Sequence, residues 1–497
     1  MMALRYQQEG SRVAEVYVPV EYPDYAASDA GLLSAVFAGE VRLTPYQALD
    51  LFTQMPTPSL GRWADARCRH IHGDSFRTYV IDRNINYTNV CNAKCTFCAF
   101  KRNPGDEDSY TLEYEEIYQK IAELSAVGGT QILMQGGMNP DLPLDWYLDL
   151  LSGIKERFPH IHIHAFSPPE LIEFVHFFNP PGAMLEDKIR WVLKKLQDAG
   201  LDSLPGGGGE IFAHPVRRKI GLGKCDATAW LTCMYAAHTL GMFTSASMMF
   251  GHIEGYADRI HHMLLVRQWQ DRVLRETAER DTPMGHYKAF IAWPFQRENT
   301  PLGHVPDWGA SPDDTGEFPG DTVAREFDFG RVEDVDYRAL GVPEFGRRVR
   351  RSGSTDYLRT QAISRLFLDN IYSIGSSWVT MGPHIGQVGL AFGANDMGSI
   401  MMEENVVSSA GTTYCLDEAV LCRLIRDAGF TPAQRNNTYD ILRVHNASHS
   451  PDLAVTDWAS HRVQRLHTQN GKTQQAMSNN GAVVTGGPAT LTVSAKN

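Results

Sequence analysis

Between residues 77 and 430, short runs of apolar and β-branched residues alternate with longer stretches of helical period. This is the pattern of βα units laid around a parallel sheet. Eight runs read as strands: Thr78–Asp82, Gln131–Gln135, Ile161–Phe166, Gly200–Leu204, Phe243–Phe250, Lys288–Trp293, Ser373–Val379 and Val388–Phe392. Among the helical stretches, Ile189, Val192, Leu193 and Leu196 fall at i, i+3, i+4 and i+7, and Gly200 follows as the stop. Ile117, Ile121 and Leu124 form a similar stripe, with Thr111 as its predicted N-cap. Eight such units predict an α/β fold, a (β/α)₈ barrel that is closed or partly open. A doubly wound open sheet has the same periodicity, so it stands as the alternative.

Three segments fall outside the alternation. Residues 1–76 form an N-terminal extension with a helix predicted around Thr44–Gln54, placed to plug the barrel bottom or to pack on its side. The barrel's first part spans 77–303 and its second part 355–435. His304–Ser354 interrupts them with ten Asp/Glu and two Arg from Asp307 to Asp336, followed by a run of arginines. That composition predicts an exposed insertion pairing acid with base. Residues 436–497 read as a C-terminal extension that becomes a mobile tail from about Thr468, too poor in apolar surface to offset ordering entropy.

Composition narrows the ligand class. With 46 Lys+Arg against 58 Asp+Glu, the net charge of −12 argues against nucleic acid or an anionic membrane as the main partner. Small molecules become the expected ligands. The first ten residues lack the apolar core of a secretory signal, and no run approaches a membrane span, so the expected location is cytoplasmic without membrane insertion.

Of the eight cysteines, Cys91, Cys95 and Cys98 fall within eight residues, in the spacing C-x₃-C-x₂-C just after the first predicted strand. Three thiolates on one loop suit three irons of a [4Fe–4S] cubane and leave the fourth iron open. A structural zinc site would need a fourth ligand, and a zinc-stabilised binding protein is the alternative from another functional class.

This spacing, with Phe97 just before the last cysteine, resembles the radical S-adenosylmethionine (SAM) superfamily. The resemblance implies a TIM-like barrel, a [4Fe–4S] cluster and SAM, which the cluster cleaves to a 5′-deoxyadenosyl radical. It also implies that the backbone at Gly136 and Gly137, in Gln135-Gly136-Gly137, meets the methionine end of SAM. Gly251-His252-Ile253-Glu254 is similar to the superfamily's strand-five motif, although Ser247 and Met249 depart from the residues usual upstream. Longer strings narrow the likeness. Ile163–Glu170, Leu204–Ile211, Met248–His252, Ala292–Gln296, Ser377–Pro383 and Phe392–Gly398 together resemble the radical SAM enzymes of the futalosine route to menaquinone. The Trp-Pro-Phe-Gln, Trp-Val-Thr and Met-Met-Phe-Gly-His strings favour the branch that cyclises dehypoxanthine futalosine over its aminofutalosine and deazaflavin-forming siblings. That branch implies an electron donor such as a flavodoxin or ferredoxin.

Other residues carry paired readings. Glu210, after four glycines, is expected to hold the SAM ribose or ammonium beside a flexible turn, or to form a loop salt bridge. His252 and Glu254 are candidate proton acceptors, or they orient SAM and cap a helix. His164, with Asn395 and Asp396 in a loop after the eighth predicted strand, are candidate substrate contacts; the last two are also good turn formers. His160, His162 and His164 share one strand face, as a metal triad or as a polar face with satisfied imidazoles. Met248, Met249, Met401 and Met402 read as packing.

Overall fold

The computed structural model describes residues 29–325, 344–412, 414 and 416–447, with short strands at 2–9, 12–19, 453–455, 465–467, 473–475 and 493–495. The first barrel strand is one extended stretch in two halves, β1 (Phe76–Val80) and β2 (Asp82–Ile85). Val80, Asp82 and Asn84 line the lumen, while Ile81 and Ile85 join the hydrophobic core. The two-residue period therefore runs unbroken through Ile81.

Seven further parallel strands follow: β3 (Gln131–Met134), β4 (His162–Ala165), β5 (Ser203–Leu204), β6 (Phe243–Phe250), β7 (Tyr287–Pro294), β8 (Ser373–Gly375) and β9 (Asp396–Ser399). Then come β10 (Thr431–Arg435) and β11 (Ile441–Val444). Their order in the sheet is β11-β10-β1-β9-β8-β7-β6-β5-β4-β3-β2. Because β1 pairs with β9 while β2 pairs with β3, the sheet curls round onto one stretch of chain. The result is a TIM-like barrel and excludes the doubly wound alternative. It is partly open: single residue pairs join β4 to β5 (His164 with Ser203) and β8 to β9 (Gly375 with Asp396).

Local chemistry explains most of the elements. The helix Leu185–Asp198 buries Ile189, Val192, Leu193 and Leu196, each worth roughly 1.5–3 kcal/mol. Gly200 follows it at φ +120°, as a stop must. The stripe Ile117, Ile121 and Leu124 is buried on Tyr114–Ala126, but its N-cap is Glu113. Thr111 instead shares its hydroxyl with Thr88, 3.1 Å away, tying the loop after β2.

Two predicted strands need correction. Val388–Phe392 is helical: Gly382 and Pro383 open a helix through Gly389, and Leu390–Phe392 continues it as a 3₁₀ turn. The eighth barrel strand is β9, whose Asp-Met-Gly-Ser has no β-branched or aromatic residue and owes its strand form to pairing with β1. The strand predicted at Ser373–Val379 stops at Gly375, and Trp378–Met381 is a short helix.

The N-terminal extension packs on the barrel's flank. Its helices span Asp29–Ala38, Pro45–Gln54 and Thr57–His72, the second opening on a Thr44–Gln47 capping box. Thr57–His72 rests on the helix Ser354–Phe367, and Pro45–Gln54 on Tyr256–Ala278. The described flanks of the acidic–basic segment pair as expected, through Arg348–Asp314, Arg350–Asp321 and Arg351–Asp307. They are not wholly exposed, however: Phe318 and Val349 are buried, and the Arg350 amide donates to the His252 carbonyl at 2.8 Å. The tail expected from Thr468 lies, apart from 473–475 and 493–495, outside the described residues.

Arg42 fastens the extension to the barrel by donating to Asp271 and Asp369, both mostly buried. Arg42→Ala removes the cation of Asp271 and one of the two that hold Asp369, whose other partner is Arg267 at 3.0 Å, and is expected to cost about 3 kcal/mol, read as a lower midpoint in urea unfolding.

Candidate active site

The three cysteines lie on the loop that leaves β2 at the C-terminal end of the barrel, where βα loops of such barrels carry their chemistry. Their thiols are free and half-buried. Backbone bonds from three directions hold the loop. The Cys91 amide donates to the Arg102 carbonyl at 2.9 Å, the Thr96 amide to Ile220 at 2.7 Å, and the Leu302 amide to Thr96 at 2.8 Å. Lys94 and Cys95 also form a short antiparallel pair with Gly221–Leu222.

Gly136 and Gly137 back this loop directly. A Cβ on Gly137 would lie 2.0 Å from the Val90 carbonyl oxygen, and one on Gly136 2.5 Å from the Tyr87 ring. Both glycines are therefore demanded first by contact with the cysteine loop. Glu170, buried and overlooked as a site residue in the sequence, holds them. Its carboxylate accepts from the Gly136 amide (3.1 Å), the Tyr87 hydroxyl (2.6 Å) and the Ser167 amide (2.7 Å). Its signal in the sequence is a Ser-x-x-Glu capping box that opens a helix.

On the other side of the loop, the glycine run 206–209 is pinned, not flexible. Gly206 donates to the Ser245 hydroxyl at 3.0 Å, Ser247 donates to the Gly206 carbonyl at 2.6 Å, and Arg217 donates to the carbonyls of Gly208 and Gly209. Glu210 follows in the left-handed region at φ +41° and is ion-paired to Lys224. Burial pushes its carboxyl up, but the Lys224 ammonium overrides this and holds it below its ordinary range. Lys224 also lies 5.0 Å from the Phe97 ring centroid, so Glu210, Lys224, Phe97 and Cys95 form one wall.

His252 and Glu254 sit deep in the turn after β6. The Nδ1 of His252 accepts from the Ile253 amide at 2.8 Å, and Nε2 faces the Met249 carbonyl at 3.2 Å. Glu254 accepts from the amides of Gly251 (2.7 Å) and His252 (2.9 Å) and from Arg259 (2.9 Å). Nδ1 also lies 3.0 Å from the Glu254 carboxylate, so both ring nitrogens face groups of the turn itself. Burial lowers the His252 pKa further, against the pull of Glu254. Both side chains hold the turn, and the geometry does not favour them as proton acceptors.

Below the loops, the lumen is a cavity of about 380 Å³, within the range of small-molecule sites. Gln135, Gly206 and Gly207 lie at its upper rim, with Trp293, Trp378, Ile291 and Met401 among its apolar lining. Met401 therefore faces the lumen, while Met248, Met249 and Met402 pack in the core. His164 lines the cavity and meets the Ser203 hydroxyl at 2.6 Å, as does His162. Burial pushes the His164 pKa down to about 3, so its ring is neutral. His160 turns away to Ser125, 3.3 Å distant, which undoes the metal-triad reading.

Asp396 also reaches the lumen, as the first residue of β9 and not in a loop beyond the strand. It is gripped by Arg435 through both oxygens, at 2.6 and 2.9 Å. Asn395 does not reach the cavity. Its side chain takes a bond from Arg365 at 2.6 Å and from the Ile374 amide at 2.9 Å, joining β8 to β9. Arg435, Asn437 and Tyr439 enter the lumen from beyond the eighth strand, a contribution with no motif in the sequence to announce it.

The donor set fits an iron–sulfur cubane. It offers three thiols on one loop, and the Glu210 carboxylate beside Cys95 is taken up by Lys224; among the described residues, no three His, Cys, Asp or Glu gather as ligands of a single ion. A cubane spreads its thiolates over separate irons.

Comparison with known proteins agrees with this geometry. Residues 85–266 match the model of the radical SAM superfamily, and residues 344–448 match the CofH/MqnC C-terminal region. A cyclic dehypoxanthine futalosine synthase from Halalkalibacterium halodurans is 39% identical over 83% of this chain and 95% of its own length. The same-named protein of Streptomyces coelicolor is 36% identical over 86% of this chain and 96% of its own. The chain belongs to the radical SAM superfamily. Within it, the chain belongs with the futalosine-pathway enzymes; an aminodeoxyfutalosine synthase from Thermus thermophilus is 34% identical over 81% of this chain and 93% of its own. Crystalline methylornithine synthase shares the fold, with TM-score 0.52 and 17% identity over 81% of this chain and 97% of its own. The C-terminal match begins at residue 344, so the last part of the 304–354 segment belongs to the family's region and is not an addition to it.

Cys91→Ser, Cys95→Ser and Cys98→Ser are each expected to abolish 5′-deoxyadenosine formation, assayed by chromatography. Gly137→Val is expected to lower iron content as well as SAM affinity, because its side chain meets the Val90 backbone beside Cys91. Asp82, in the cavity wall, has its pKa pushed up from 3.8 to about 6 by burial, against bonds from Ser399 and Gln131. A raised pKa gives stability that is present below about pH 4 and lost as pH rises through 6. Asp82→Asn is therefore expected to match the parent at pH 4 and exceed it by on the order of 3 kcal/mol above pH 7, measured by urea unfolding.

Proposed function

We propose that this chain cyclises dehypoxanthine futalosine to cyclic dehypoxanthinyl futalosine in menaquinone biosynthesis. The carrying observation is near full-length identity, at 39% and 36%, to two proteins of that name. In this reading Cys91, Cys95 and Cys98 hold a [4Fe–4S] cluster. The backbone at Gly136–Gly137 and the Glu210 carboxylate receive SAM, and His164 and Asp396 face the substrate. Together, cluster and SAM supply a hydrogen-abstracting 5′-deoxyadenosyl radical.

The chain's own task is placement and exclusion of water. A radical hydrogen transfer needs its two carbons near contact, and a displacement of about 1 Å can cost on the order of a hundredfold in rate. The pinned loops around Gly137 and Gly206 fix one partner, and the lumen fixes the other. Trp293 and Trp378 are among the apolar groups lining the lumen, a lining suited to an aromatic ring. His164, kept neutral, can exchange a hydrogen bond without trapping charge. Asp396, neutralised by Arg435, places a polar pair in the wall without a net charge. Among the described residues no helix is long and apolar enough to cross a membrane. The reading places the enzyme in the cytoplasm, fed electrons by a flavodoxin or ferredoxin.

The deciding assay offers iron-loaded protein dehypoxanthine futalosine, SAM and dithionite. The expected product is two hydrogens lighter than the substrate, detected by mass spectrometry alongside 5′-deoxyadenosine. Turnover of an aminofutalosine-synthase or deazaflavin-synthase substrate in its place would overturn the assignment within the superfamily.

A further inference from the structure

The cysteine loop and the strand that pairs with it carry a charge pattern opposite to the rest of the chain. Residues 91–105 and 211–225 hold seven Lys and Arg and no Asp or Glu, in a protein of net charge −12. Some of these cations are engaged locally: Arg102 pairs with Asp108, Arg217 with loop carbonyls and Lys224 with Glu210. Lys94, Arg218 and Lys219 are exposed. Among them stands Leu222, a large apolar side chain 57% exposed.

Position gives the pattern its meaning. Lys94 is the sequence neighbour of Cys95 and is the ladder partner of Leu222, while Cys95 itself pairs with Gly221. Antiparallel partners lie about 5 Å apart at Cα, so a body seated on Leu222 comes within one residue of a cluster-ligating cysteine. Lys219 and Arg218 end the helix His214–Ile220 that leads into this strand. An exposed leucine with Lys94 as its ladder partner, and with Arg218 and Lys219 on the helix that leads into its strand, offers charge complementarity to an acidic partner in a transient, electrostatically steered complex.

We infer that this hairpin face, Leu222 with Lys94, Arg218 and Lys219, is the docking surface for an acidic one-electron carrier protein. The inference rests on the proposed reading that the cysteine loop holds an iron–sulfur cluster. The transfer is balanced by a single electron leaving the carrier's reduced centre and arriving at the cluster, with no atom exchanged. An apolar contact at the centre limits water at the point of closest approach, and the surrounding cations orient the acidic partner.

The test uses iron-loaded parent protein, the double variant Arg218→Glu/Lys219→Glu, and Leu222→Ser, each mixed with reduced flavodoxin in a stopped-flow instrument that follows bleaching of the cluster. The double variant is expected to be reduced at least about tenfold more slowly than the parent, and Leu222→Ser more slowly than the parent. Iron content and reduction by dithionite are expected to match the parent in both. For the unchanged parent, reduction by flavodoxin is expected to slow as salt rises from about 0.05 to 0.5 M. This arm decides the matter should the variants lose iron. Equal flavodoxin rates in parent and variants, a parent rate indifferent to salt, or loss of flavodoxin binding to competing single-stranded RNA would each overturn the proposal. A parent that takes up no iron would instead overturn the cluster reading itself.

Discussion

Van der Waals contact between Gly137 and the Val90 carbonyl is the constraint on which the site depends. Three thiols can hold a cluster only if the loop bearing them has one conformation, and a loop has little of its own to fix it. Here the strand end behind it comes so close that no side chain fits. The Glu170 carboxylate, bonded to the Gly136 amide and the Tyr87 hydroxyl, locks that approach from the far side. Rigidity is thus borrowed from the barrel through backbone contact, and the thiols remain half-open for ligation.

The same logic recurs at the turn after β6. Glu254 gathers two amides and Arg259, and Arg259 reaches on to Asp356 at 2.8 Å. The buried charges are compensated in a chain, so each costs far less than it would alone. Arg350 ties the acidic–basic segment to the same turn through the His252 carbonyl. That segment, which looked like an appendage, supports a loop of the site.

Much of this was legible in the sequence. The cysteine spacing, the two glycine motifs and most strands could be read because each has a local signature: ligand spacing, absent Cβ, or a β-branched run. What stayed hidden lacked such a signature. β9 is a strand because β1 and β8 flank it, not because Asp-Met-Gly-Ser prefers to be one. Thr111 looks like a cap in isolation and becomes a loop tie only beside Thr88. His252 reads as a base until its ring nitrogens are seen to be engaged. Asn395 and Asp396 are adjacent in sequence yet serve different tasks, because a strand sends neighbours to opposite faces. Arg435 and Lys224 carry no motif and gain their roles only from the partners the fold gives them.

The two-part first strand also sets an order of assembly. Its second half finds β3 early, since Asp82 and Gln131 are 49 residues apart. Its first half must wait for β9, with 318 residues separating Thr78 from Asp396. Closing the longer loop costs about 1.7 kcal/mol more in chain entropy, and long-range pairing of this kind is slow. During synthesis the thiol-bearing loop therefore emerges with one neighbouring strand to pair beside it well before the strand that closes the ring exists.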